Sequence, residues 1–134
     1  MNNSIGWALI RVTAGFFFMY GHGLPKLQRG VEKFAVGVGE MGFPFPLFFA
    51  WCATLSELVG GALIALGLLT RPMAALASVT MLVALYRHLG DPFRSMELAL
   101  VYLSIFVGAM IMGSGRYGLD AKVKLPGILG RLQR

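Results

Sequence analysis

The sequence predicts an all-α membrane protein: a bundle of four transmembrane helices with a short interfacial helix in the first loop. Three observations lead there. First, 57% of the 134 residues are hydrophobic and only 13% are charged, with a mean hydropathy of +0.71. A soluble domain carries about 25% charged residues. Second, the apolar residues gather in four runs, near 5–24, 45–69, 73–89 and 95–112. At ~1.5 Å per residue each run is long enough, or nearly so, for a ~30 Å hydrocarbon core. Third, a backbone N–H in hydrocarbon must find its acceptor within its own segment, so the runs should be helices. A chain of this length makes one compact domain.

The first run follows MNNSIGWAL, which lacks the basic start of a signal peptide, and no small-x-small cleavage site follows closely. It is expected to remain as a membrane anchor. The loop after it, PKLQRGVEKFAVGVGEMGFPFP, has Leu27, Val31, Phe34 and Val38 at a loose helical period. That predicts a short interfacial helix followed by a Phe-Pro turn. The second and third runs are joined by little more than Thr70, Arg71 and Pro72. Pro72 suits the first turn of a helix, and so short a link forces an antiparallel hairpin. The fourth run is followed by a basic tail, 116–134, which is expected to lie on the membrane surface. YGHGLP (20–25) and YRHLGDP (86–92) end the first and third runs alike, a faint internal repeat.

The net charge of +6 does not point to nucleic acid. The basic residues flank apolar runs and show no aromatic-interleaved surface. They read as topology signals and contacts to membrane lipids. Arg71, Arg116, Lys122, Lys124, Arg131 and Arg134 fall on the side of the termini; Lys26, Arg29, Lys33, Arg87 and Arg94 fall on the other. The bias places both termini in the cytoplasm. The lone cysteine, Cys52, excludes dithiol chemistry within the chain and reads as a small buried hydrophobe. Two matches to G-x-G-x-x-G, at 37–42 and 113–118, lack the strand and helix that a dinucleotide site needs.

Glu57 is the conspicuous residue. It sits in TLSELVGGALIALGLLT (54–70), well inside an apolar helix. A carboxylate there costs at least ~2.5 kcal/mol unless it is paired or protonated. It is either a buried partner that fixes helix register or a proton acceptor that anchors a ligand. Arg11, about two turns into the first helix, is the candidate counter-ion, with the head groups and Asp120 as its other partners. His22 and His88 end the first and third helices and so share the far membrane face. Arg11, Gly15, Phe18 and His22 lie on one helical face. His and carboxylate groups can hydrogen-bond the oxygens of a quinone and pass its protons. Tyr20, Phe18, Trp51 and Phe48 could pack on its ring. Bis-histidine haem ligation by His22 and His88 is a second use. No tight ligand spacing suggests a metal.

Arg11-x-x-x-Gly15, HGLPKL (22–27), SELVGGALIALGLLTR (56–71) and GSGRYGLD (113–120) resemble the DoxX/DoxD family of small four-helix bacterial membrane proteins. The likeness runs from Arg11 to Asp120, and the E-L-x-G-G-x-L-x-x-x-G-L-x-x-R segment is its most specific piece. It implies an inner-membrane protein with a redox association, in one branch as the quinone-facing subunit of a thiosulfate:quinone oxidoreductase. It matches Arg11, Glu57, Arg71, Arg116 and Asp120 to family positions. The expectation is therefore a quinone- or quinol-binding redox protein, with ubiquinone or menaquinone as cofactor. Glu57 and His22 would act catalytically. His22, His88, Glu57, Arg11, Tyr20 and Trp51 would line the cofactor site. Two rivals are a scaffold that docks soluble redox proteins and a small proton-coupled transporter. Small residues on several faces also permit a homo-oligomer.

Overall fold

The computed structural model describes residues 2–133, and the chain is all-helical, with no strand among the described residues. Helix α1 (Asn2–Phe18) passes through a π-helical turn, Met19–Gly23, into α2 (Leu24–Arg29). These form one rod, because Gly23 keeps helical angles between them. Helix α3 (Val31–Glu40) follows. A second rod is built the same way: α4 (Pro46–Leu55), a π-turn at Ser56–Gly60, then α5 (Gly61–Leu66). Helices α6 (Thr70–Arg87) and α7 (Phe93–Met112) complete the long elements. The tail holds a 3₁₀ turn, Leu119–Ala121, and the short α8 (Gly127–Leu132).

The breaks have local causes. Gly30 (φ +95°) ends the first rod and Gly67 (φ +73°) ends the second, in a backbone region that only glycine enters freely. Pro46 opens α4, where its missing N–H has no helical partner to lose. The expected end of the first helix near 24 is too early. The apolar run stops there, but the helix continues for another turn and a half. In the π-turn the Leu24 N–H reaches the Met19 carbonyl, five residues back. That wider turn accommodates Pro25, whose ring would clash with an ordinary preceding turn. His22 is therefore inside a rod rather than at its end, and YGHGLP and YRHLGDP are not structural equivalents. The other helices begin or end within a few residues of expectation.

The two rods cross at glycines. A methyl group at Gly15 would stand 2.6 Å from the Ala65 nitrogen and the Gly61 oxygen. One at Gly61 would stand 2.8 Å from the Gly15 oxygen, and one at Gly23 would stand 2.6 Å from the Leu58 nitrogen. Only bare backbone allows this approach. The pairs run antiparallel: Gly15 faces Ala65, Met19 faces Gly61 and Gly23 faces Leu58. Around that seam Ala14, Phe18, Ile64, Ala74, Ala77, Met81, Tyr102, Phe106 and Ala109 form the main core. Phe18 packs edge-on against Phe106, 4.7 Å between ring centres.

A smaller cluster seats α3 on α4 through Val31, Ala35, Val38 and Ala50. Of the predicted stripe in this loop, Val31 and Val38 are buried and Phe34 packs beside them, while Leu27 is exposed.

Two helical stretches are long and apolar enough to cross a membrane, Pro46–Leu66 and Phe93–Met112. Only 17% of the second is buried, whereas the core helix of a soluble protein is mostly buried. Leu9, Val79, Leu82 and Ile111 are among many large apolar side chains that face outward. A water-soluble monomer rarely exposes apolar surface on this scale. These features are consistent with a membrane protein.

Candidate functional site

The rod register decides what meets Glu57. Residues that face each other across the seam have numbers summing to about 80, so Glu57 is level with residues just past Gly23. Lys26 lies three residues beyond Gly23, on the face that closes onto Leu58. Its Nζ is 2.5 Å from Glu57 Oε1. The Glu57 side chain is only 2% exposed and that of Lys26 25% exposed. The Lys26 ammonium also stands over the Phe34 ring, 4.3 Å from its centre. The second carboxylate oxygen, Glu57 Oε2, is buried and has no hydrogen-bond partner.

The expected Arg11–Glu57 pair does not form. Twelve residues of helix separate Arg11 from Gly23, an offset of ~18 Å along the rod. Arg11 instead sits where α5 ends. Its Nη1 donates to the Ile64 carbonyl and to the Ala65 carbonyl, the latter at 2.7 Å. Across the same turn the Asp120 carboxylate accepts from the N–H groups of Leu69 (2.8 Å) and Thr70 (2.9 Å). A cation on the C-terminus of one helix and an anion on the N-terminus of the next both oppose the helix dipoles favourably. Trp7 Nε1 and Arg71 add bonds to the Gly113 and Met110 carbonyls at this end. Arg11 and Asp120 thus staple the α5–α6 turn at the end of the second rod, whereas Glu57 lies near that rod's middle.

Glu57 lines a pocket of about 370 Å³, within the range of small-molecule sites. Helices α3, α4 and α6 supply apolar walls, including Phe34, Val38, Phe49 and Val83. Lys26 and Glu57 form its charged corner. Ser56 and Thr80, whose hydroxyl oxygens are 3.1 Å apart, supply neutral polar groups. His88 and Arg87 border it at the end of α6. His88 Nδ1 is 2.8 Å from Asp91 Oδ2, and Arg87 pairs with Glu40 of α3 at 3.5 Å.

Of the residues expected to bind a cofactor, the pocket gathers Glu57 and His88 only. His22 packs against Phe18 and Tyr102, its ring edge-on to Tyr102 at 5.5 Å. His22 does not line the pocket that His88 borders. Tyr20 is exposed and stacks on Phe16. Trp51 is exposed one residue from the lining Cys52. Cys52 is not the buried hydrophobe expected of it: it is exposed and faces the pocket. Sequence reasoning missed Lys26, Ser56 and Thr80. For Lys26 a signal existed in HGLPKL, where a cation follows a close-approach glycine by one turn.

Comparison with known proteins gives a family. The model described as DoxX matches residues 6–89, which hold Lys26, Glu57 and His88. A protein of Bacillus subtilis (strain 168) named "Putative oxidoreductase CatD" is 39% identical over 87 residues, 63% of this chain and 62% of that protein. The match therefore spans less than two thirds of that relative. An "Uncharacterized protein" of Haemophilus influenzae (strain ATCC 51907 / DSM 11121 / KW20 / Rd) is 32% identical over 123 residues, 86% of this chain and 88% of its own length. No solved structure matches significantly.

Proposed function

The chain belongs to the DoxX family, and from that premise we propose that it is a quinone- or quinol-binding redox protein of the bacterial inner membrane. It works there as the quinone-facing member of an oxidoreductase system. The family and the oxidoreductase name of the Bacillus relative hint at a redox-related role. The single observation that carries the reading is Glu57 Oε2: a buried carboxylate oxygen without a partner, on a residue that lines a mostly apolar pocket. Such a group invites a ligand that is mostly hydrocarbon with a polar, proton-bearing edge.

In this reading Phe34 and Phe49 would flank the ring of a bound quinone, Lys26 would donate to a ring oxygen and Glu57 would exchange a proton with that oxygen. A bound quinol would supply two protons and two electrons: Glu57 would accept one proton, the His88–Asp91 pair at the pocket's edge the other, and a redox partner protein would take the electrons. The fold is read as a four-span bundle with both termini cytoplasmic, from the basic residues near 71 and in the tail. The pocket then opens toward the periplasmic face. The tail presents a basic surface to anionic lipid.

The test is organic extraction and mass spectrometry of the protein purified in mild detergent, followed by titration with a short-tailed ubiquinone. A stoichiometric quinone, or saturable binding that weakens at least about tenfold in Glu57→Gln, is expected from loss of a charged hydrogen-bonding group. A folded Glu57→Gln protein with unchanged affinity would remove Glu57 from the site. No bound or added quinone at all would sink the reading.

A further inference from the structure

The charged corner of the pocket has a donor and an acceptor side by side. Lys26 Nζ is 2.5 Å from Glu57 Oε1, while Glu57 Oε2 is unpartnered. The ammonium carries three N–H donors. One goes to Oε1 and the Phe34 face lies below the group, which leaves a donor for a ligand. In the ionised form that the Lys26 ion pair favours, the carboxylate is acceptor-only. A single ligand oxygen that reaches both groups would accept from Lys26 and donate to Glu57 Oε2. A hydroxyl does both. A carbonyl satisfies Lys26 but turns its own lone pairs toward Oε2, leaving the buried oxygen without a donor.

Resting on the quinone reading above, we propose that the pocket selects the reduced ring, holding a phenolic hydroxyl between Lys26 and Glu57 in preference to a quinone carbonyl. The ligand class is then a lipid-soluble phenol or hydroquinone. The Ser56–Thr80 hydroxyl pair does not contribute to this choice, since hydroxyls donate and accept alike. Discrimination lies with Glu57. A site built to bond a hydroxyl rejects an analogue that lacks it, because its own polar group is stranded.

The test uses the full chain in detergent under anaerobic conditions. Dissociation constants are measured for three probes with the same decyl tail: a ubiquinol, its ubiquinone, and the quinol with both hydroxyls methylated. The quinol is expected to bind at least about tenfold more tightly than either of the others. For a two-electron couple, tenfold preference raises the midpoint potential of the bound pair by about 30 mV. Glu57→Gln should bring quinol and quinone within about twofold of each other; the three wild-type measurements stand without it if that variant does not fold. Equal binding of quinol and quinone, or tighter binding of the quinone, overturns the selection but leaves the pocket a quinone site. A folded Glu57→Gln protein that keeps the preference removes Glu57 as its source. Failure of all three probes to bind overturns the quinone reading and the selection together.

Discussion

Lys26 and Glu57 are each other's reason for being where they are. Removing one strands the other's charge away from water, and breaking a buried pair costs about 3–5 kcal/mol. Lys26 is a quarter exposed and Glu57 can take up a proton, so Lys26→Met should cost nearer about 2 kcal/mol. Thermal unfolding in detergent reads it, and Lys26→Met with Glu57→Gln should recover most of the loss. Arg11 makes the opposite kind of prediction. Arg11→Leu should destabilise by about 2–3 kcal/mol, since two helix-end carbonyls lose a cationic donor. Quinone affinity should not move, because Arg11 is remote from the pocket; a large loss of affinity at intact fold would refute the staple. Glu57 was legible in the sequence because its cost in an apolar run demands a compensating contact. Its partner was not legible. Choosing between Arg11 and Lys26 requires the helix register, and register follows from which glycines touch. The same gap hid the outward turn of Tyr20 and the seating of His22 against Tyr102.

At the scale of elements, the crossing of the two rods rests on bare backbone. Gly60 and Gly61 are neighbours with opposite surroundings. A methyl group at Gly60 meets nothing within 4 Å; one at Gly61 meets the Gly15 oxygen at 2.8 Å and the Met19 nitrogen at 2.9 Å. Gly61→Ala should therefore cost about 1–3 kcal/mol through overpacking, with Gly60→Ala close to neutral. Comparable melting temperatures for the two would mean that the rods can separate without penalty. The helices themselves were legible from the apolar runs, since hydrocarbon leaves the backbone no other solution. The continuation from Gly23 to Arg29 was not. Hydropathy marks where a lipid-facing stretch ends, whereas the helix ends only where Gly30 turns it. The helix α3 showed in its spacing because Val31 and Val38 repeat at the period that α4 buries.

For the whole molecule, the proposed four-span topology has a direct test. Reporters fused at the two termini should both be active only in the cytoplasmic compartment, and one inserted at Gly90 only outside it. Opposite signals from the two ends would reduce the number of spans to an odd one. The all-helical class was legible in the long apolar runs, and the outward-facing apolar side chains are consistent with the membrane character that the composition suggests. The pocket was not, since its walls come from three separate stretches of chain and its charged corner joins one of these, through Glu57, to a fourth that carries Lys26. One consequence remains in the two π-turns, Met19–Gly23 and Ser56–Gly60. Each is an α-helix that takes in one surplus residue by widening a single turn, whereas a residue added to or removed from an ordinary turn rotates everything beyond it by about 100°. Deleting Gly21, which touches nothing across the seam, should close the wide turn into an ordinary one and leave Lys26 facing Glu57. The rod thus tolerates a change of length at its bulge that it would not tolerate elsewhere. A relative that lacks one residue within 19–23 should keep both the fold and the lysine–glutamate corner.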